Sequence, residues 1–417
     1  MKRKRYKNIY GKKNRKFSFV KIAAAVLGLF VISLVGYAVS TAVIKFVQSD
    51  LTFDTDGNNI DIPSSDIPHD DDSDIQQESS QISSEQHSSN SETPKPSSLG
   101  LSGIHGTYMP TATLLDDTLF DEFVKQTGEK GFNAIVFDLK DSTGHVYYDS
   151  QNDSVLTAGA KVTSPVNLMS RAAKIKEAGL TPIARIYAFK DSVASFVLPE
   201  SFVWYQSPGT RWVDNYIDQG GKPWLNPESR VAQDYIKEIA LEIVKNGVTN
   251  IIVDGITYPT GVALETAYYG DRSKNDRLGV LNDFAKDMQK ALSEAGGTFT
   301  MMDTSAAFLT DNSMQYGGNP VKIDVDSLCV SIFPSDITAP LDFNGQLISL
   351  PLSMPKETTE LIVKSIKAGS VNSELNILAF VQYYDGYENG DYEKQLTALE
   401  ENNVSSYVLY NEQGIYW

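Results

Sequence analysis

From residue 103 to residue 417 the chain predicts an α/β fold, and within that class a (β/α)8 barrel. Three observations carry this. Eight short runs rich in β-branched and aromatic residues recur along the segment, most gaps between them hold an amphipathic helical pattern, and polar residues collect late in the runs. A doubly wound open sheet is the competing arrangement, but no glycine-rich nucleotide-binding turn follows the first run.

In order, the runs are GIHGTYM (103–109), AIVFDLK (134–140), PIARIYAF (182–189), NIIVDGITY (250–258), FTMMDTS (299–305), SLCVSIF (327–333), NILAFVQYY (376–384) and SSYVLYN (405–411). The clearest helix is PESRVAQDYIKEIALEIVKNG, which opens near Pro227 and closes on Gly247, the ends that proline and glycine favour. LFDEFVKQTGEKG, SPVNLMSRAAKIKEAG, RLGVLNDFAKDMQKALSEAGG and PKETTELIVKSIKAG supply others, whereas the gap between the fifth and sixth runs holds no convincing helix. Cys329, the sole cysteine, cannot form an intrachain disulfide and reads as core packing within SLCVSIF.

The residues before the barrel belong to other physical classes. Residues 1–21 hold ten Lys or Arg and no acid, so the net charge of −17 leaves the remainder of the chain at −27. Residues 22–44, IAAAVLGLFVISLVGYAVSTAVI, are uncharged and mostly apolar. As a helix they would reach ~35 Å against a hydrocarbon core of ~30 Å, long enough to span. The basic tail would stay cytoplasmic and send the rest of the chain across. A cleaved signal peptide is the competing reading, with AVSTA as a poor cleavage site, and both readings put the bulk outside the cytoplasm. Residues 45–102 form an acidic, Ser-rich linker; from 49 to 98 there are twelve acids and one lysine, too polar to build a core. His69 and His87 within it match no metal-ligand spacing. The partners expected are therefore a lipid bilayer, through residues 22–44, and no nucleic acid, because the acidic bulk would repel a phosphate backbone.

In a (β/α)8 barrel the site forms at the carboxyl ends of the strands. Asp138 and Lys140 end the second run, Arg185 and Tyr187 lie in the third, Asp254 ends the fourth and Asp303 the fifth. Period two puts Asp138 with Lys140, Arg185 with Tyr187, and Asp254 with Ile252. One reading has these charges neutralise each other in a buried layer, Arg185 and Lys140 holding Asp138 and Asp254. The other makes Asp254 and Asp303 a catalytic carboxylate pair of the kind glycoside hydrolysis uses, with Asp138, Lys140, Arg185 and Tyr187 positioning substrate. No GxSxG elbow, P-loop or HExxH motif is present, and His105 and His145 are too isolated for a metal set; neither metal nor cofactor is expected.

The segments FDLKDSTGHVYYDS (137–150), ARIYAFKD (184–191), WLNP (224–227), VDGITYPTG (253–261) and FVQYYDGY (380–387) resemble the successive motifs of a glycoside hydrolase-like family grouped as DUF4015. Its D-x-K-D-x-x-G-x-V motif is met by Asp138, Lys140, Asp141, Gly144 and Val146. The A-R-I and F-K-D pieces are met by Ala184, Arg185, Ile186, Phe189, Lys190 and Asp191. The resemblance implies a TIM-barrel glycosidase-like domain, often surface anchored, and brings Trp224 and Gln382 into the substrate-binding set. Two departures stand out. VDGITYP keeps Asp254 but has Gly255 and Thr257 where the family pattern has an aromatic and an arginine, and DTSA keeps only Asp303 of the following motif. The expected function is thus a membrane-anchored, extracytoplasmic glycoside hydrolase acting on a cell-surface or envelope polysaccharide or oligosaccharide; a catalytically inactive carbohydrate-binding or scaffold protein is the alternative. Aromatic residues in FVWYQSPGTRWV (202–213), TAYYGD (266–271) and VQYYDGYENGDY (381–392) would serve either sugar stacking or loop packing.

Overall fold

A computed structural model describes residues 101–309, 312–337, 340–343, 345–384 and 390–416. The expected membrane span and nearly all of the acidic linker lie outside these residues. Among the described residues no helix is long and apolar enough to cross a membrane.

All eight predicted runs are strands of one closed parallel barrel: β1 (His105–Met109), β2 (Ala134–Lys140), β3 (Thr181–Tyr187), β4 (Asn250–Asp254), β5 (Thr298–Thr304), β6 (Ser327–Ile332), β7 (Asn376–Gln382) and β8 (Ser406–Tyr410). Each pairs with the next, and β1 closes the ring by pairing with both β2 and β8. The fourth strand stops four residues earlier than its sequence run suggests. Gly255 there has φ +70°, a left-handed conformation that turns the chain out of the sheet directly after Asp254.

Strand alternation divides the core in two. Ala134, Val136, Ile183, Ile252, Met302, Cys329, Leu378, Phe380 and Val408 fill the barrel, while Ile135, Phe137, Ala184, Ile251, Val253, Met301 and Val330 face the helices. Cys329 is fully buried in the inner cluster, where burial pushes its thiol well above the ordinary range, so it packs rather than attacks. At ~1.5–3 kcal/mol for each large apolar side chain removed from water, two such layers hold the fold without disulfides.

The outer layer comprises α1 (Asp117–Glu129), α2 (Leu168–Glu177), α3 (Arg230–Lys245), α4 (Arg277–Glu294), α5 (Pro355–Gly369) and α6 (Asp391–Glu401). In α3 the buried residues Ala232, Tyr235, Ile236, Ile239, Ala240 and Ile243 recur at helical spacing. Its cap is Ser229, whose hydroxyl accepts from Ala232 N; Pro227 lies two residues outside. Between β5 and β6 the described residues hold only a five-residue helix, Ser305–Leu309, and a single turn, Pro320–Lys322, as the missing pattern there predicts. The longest connections, after β2, β3, β4 and β6, all leave carboxyl ends of strands, the end where barrels build their sites.

Candidate active site

Three inward-facing residues on adjacent strands make a charge layer near the barrel mouth: Asp138 on β2, Arg185 on β3 and Asp254 on β4. Arg185 meets Asp138 through two hydrogen bonds, Nε to Oδ1 at 2.7 Å and Nη2 to Oδ2 at 2.9 Å. The Tyr108 hydroxyl donates to the same carboxylate at 3.0 Å. Arg185 also lies 5.2 Å from the Tyr108 ring and 5.3 Å from the Tyr187 ring. A planar guanidinium matched to a carboxylate in this fork is directional and strong. Asp138 is therefore spoken for.

Asp254 is held more loosely. Its Oδ2 is 3.7 Å from Arg185 Nη1, beyond hydrogen-bond length, and its side chain is the most open of the three at 17 % exposure. Burial raises its pKa, and the Arg185 charge and a hydrogen bond from Tyr187 only partly pull it back.

Asp303 leaves β5 on the other face. Asp254 pairs in register with Met302, an inner-cluster residue, so Asp303 alternates outward with Met301. Its carboxylate accepts from Thr304 N at 2.7 Å and from the hydroxyl of Tyr316, which the loop after β5 supplies. Burial drives its pKa up to about 7; those two hydrogen bonds oppose the rise and the charge of Asp254 adds to it. The two carboxyls are thus electrostatic neighbours that approach from opposite faces of the sheet.

Lys140, Trp224 and Gln382, expected in the substrate-binding set, are sealed from solvent. Lys140 is fully buried; its Nζ lies 2.9 Å from Asp191 Oδ2 and donates to the Tyr187 carbonyl at 2.8 Å. Asp191 in turn caps the short helix Ser192–Val197 through Ala194 N. Trp224 is 4 % exposed and donates from Nε1 to Asp214. Gln382 is fully buried, its Oε1 accepting from Ser335 N. These three residues brace the loops of the mouth. Period two places a side chain on a face of the sheet and does not reveal whether a loop will cover it.

The motif that begins at Asp138 has a structural logic of its own. Asp138 takes Arg185 and Lys140 takes Asp191. Asp141 folds the turn by accepting from the backbone of Thr143, Gly144 and His145 and from the Tyr147 hydroxyl. Burial alone would raise the pKa of Asp141, but these donors hold it below the usual value. Gly144 sits at φ +108°, and a Cβ on it would lie 2.0 Å from Asp191 Oδ1.

A family model described as "Putative glycosyl hydrolase domain", the DUF4015 group, matches residues 106–416. The chain belongs to this family. No curated protein matches it. Among solved structures, the PgaB (BpsB) glycoside hydrolase domain from Bordetella bronchiseptica is 14 % identical and aligns over 75 % of this chain and 94 % of its own, with a TM-score of 0.52. A hypothetical protein from Ruminiclostridium thermocellum ATCC 27405 is 25 % identical over 47 % of this chain and 96 % of its own, at a TM-score of 0.42. The glycoside hydrolase domain of PelA from Pseudomonas aeruginosa is 11 % identical over 75 % and 96 %, at 0.39. At these identities the first supports the barrel fold alone.

Sequence reasoning passed over Tyr108, Tyr316 and Tyr410. Tyr108 and Tyr410 had a usable signal, a polar-tipped ring at or near the carboxyl end of a strand. Tyr316 had none, being one residue of an unpatterned loop. Of the three aromatic segments, the first two largely pack themselves: Phe202, Trp212 and Tyr269 are buried, and Trp204–Tyr205 pairs with Ala267–Tyr268.

Proposed function

We propose that this protein is a membrane-anchored, extracytoplasmic glycoside hydrolase that cleaves a cell-surface or envelope polysaccharide. The observation that carries the reading is a pair of neighbouring carboxyls in different settings at the mouth of a glycosyl hydrolase-family barrel. Burial pushes the pKa of Asp303 up to about 7, so a substantial share of it is protonated near neutral pH; burial also raises Asp254, but Arg185 beside it and a hydrogen bond from Tyr187 pull it back toward the charged form. Asp303 then serves as general acid toward the leaving oxygen, and Asp254, ionised, attacks the anomeric carbon or activates water. Asp138, Arg185 and Tyr187 shape the floor beneath the reacting sugar. The apolar run 22–44 would anchor the chain, with the acidic linker holding the barrel off the bilayer.

The test is release of reducing ends from purified envelope polysaccharide by the wild-type chain and by Asp254→Asn and Asp303→Asn. Each substitution should lower the rate at least about 100-fold, a general acid alone being worth ~10²–10⁴. Wild-type release unchanged in both variants would remove the pair from the mechanism. A second reading, a carbohydrate-binding protein without turnover, draws on the outward departure of Asp303 and on Thr257 at the arginine position of the family pattern. It predicts retention on the polysaccharide with no new reducing ends.

A further inference from the structure

At the mouth, beside the charge layer, the ends of β6, β7 and β8 enclose a cleft of about 540 Å³, within the ~300–1,000 Å³ range of small-molecule sites. Its inner wall is aromatic. Phe333 and Tyr410 stack at 5.0 Å with planes 25° apart, and Tyr384 meets both edge-on. Its rim carries two exposed carboxylates, Asp336 and Glu412, and among the described residues no basic one lines it. Tyr384 is oriented by contacts of its hydroxyl with Ser335 Oγ at 3.2 Å and Asp336 Oδ1 at 3.5 Å. Beneath it, fully buried Gln382 has an Nε2 with no partner among the described residues.

The cleft adjoins the carboxylates described above. Tyr410 is the shared wall: its ring packs 4.8 Å from Tyr108, the residue that donates to Asp138, and its hydroxyl lies in the fields of both Arg185 and Asp138. Among the described residues the only cation at this wall, Arg185, is already committed to Asp138.

We propose that this cleft is a pyranose subsite that takes neutral or amino-bearing sugars and rejects acidic ones. The C–H face of the ring packs on the aromatic wall, while hydroxyl or ammonium groups donate to Asp336 and Glu412. A uronate or phosphorylated sugar would bring a like charge against two carboxylates with no free cation to offset it. The proposal rests on the hydrolase reading for its choice of a saccharide ligand and adds the subsite and its charge selectivity.

Titration calorimetry of the full-length chain in detergent micelles, at low salt, with tetrasaccharides of glucose, glucosamine and glucuronate, tests it. Glucose and glucosamine oligomers should bind at least about tenfold more tightly than the glucuronate oligomer, and the gap should shrink as salt screens the rim. Tyr384→Ala should weaken binding about 5- to 10-fold. Asp336→Asn combined with Glu412→Gln should bring glucuronate to within about threefold of glucose. Equal affinity for all three sugars, no effect of Tyr384→Ala, or no binding of any of them overturns the proposal. Binding with the predicted selectivity but no cleavage supports the subsite and refutes the hydrolase reading; cleavage of a polysaccharide that is indifferent to Tyr384→Ala does the reverse.

Discussion

Replacing Asp303 by Asn removes a carboxyl whose pKa the fold raises from 3.8 to about 7. Because the folded pKa lies above the unfolded one, folding takes up a proton between those two values. The stabilisation is complete below about pH 4, is lost as pH rises, and is gone above about pH 7. Moving a carboxyl that far corresponds to on the order of 4 kcal/mol between its protonation states, or at most about 1.4 kcal/mol per pH unit. Asp303 is only 9 % exposed, so solvent screens little of it. Asn keeps the shape of the protonated acid and does not titrate. The measurement is urea unfolding of wild type and Asp303→Asn in parallel from pH 4 to pH 8; the difference between the two cancels every other titrating group except those coupled to Asp303. The variant should gain on the wild type steadily between pH 4 and pH 7, then run parallel to it. Asp254→Asn, which removes a charge that pushes Asp303 upward, should draw the end of that window to lower pH. A wild-type-minus-variant difference that is flat from pH 4 to pH 8 would refute the reasoning and, with it, the claim that the fold raises the pKa of Asp303.

Lys140→Met should cost about 3–5 kcal/mol, because it leaves Asp191 buried without its counter-charge; denaturant unfolding at neutral pH reads it, and a loss below about 1 kcal/mol would show that Lys140 is not the anchor described. Gly144→Ala should lower the melting temperature by several degrees, since the new methyl meets the Asp191 carboxylate at a left-handed backbone position; an unchanged melting curve would mean that the turn can relax without loss. Tyr316→Phe removes a hydrogen bond that favours the charged form of Asp303, so the pH window of the wild-type-minus-variant experiment should extend to higher pH, and a shift downward would contradict the assignment of that donor.

What could be read in advance follows from what local sequence determines. Alternation in AIVFDLK and NIIVD and the helical stripe of α3 are properties of a few residues and their burial, so the eight strands and the weak β5–β6 connection were legible. Strand ends were legible only to within a few residues; the early stop after Asp254 turns on the backbone of Gly255. Among site residues, Asp138, Arg185 and Asp254 could be placed on one face because each neighbour on its strand alternates cleanly. Lys140 could not, because β2 shifts register between Asp138 and Lys140 and the Asp191 loop closes over it. The face of Asp303 was illegible for a simpler reason. A carboxylate that ends a strand looks equivalent to its neighbour, but Asp254 pairs with Met302, and one residue of offset changes the face.

That offset gives the two carboxyls different neighbours, and so different chemistry. Had Asp303 followed Asp254 into the barrel, it would have faced Arg185 as a third acid around a single guanidinium. One arginine with two good donors toward Asp138 has little left for the others. Placed on the outer face, Asp303 is instead buried with hydrogen bonds from one tyrosine and one backbone amide, and burial pushes its pKa up to about 7. Asp254 stays within the field of Arg185 without being locked to it. The proposed hydrolase needs two carboxyls whose settings differ in this way. The outward turn of Asp303, which at first argues against a catalytic pair, thus gives its carboxyl a setting unlike that of Asp254, one in which no arginine offsets burial.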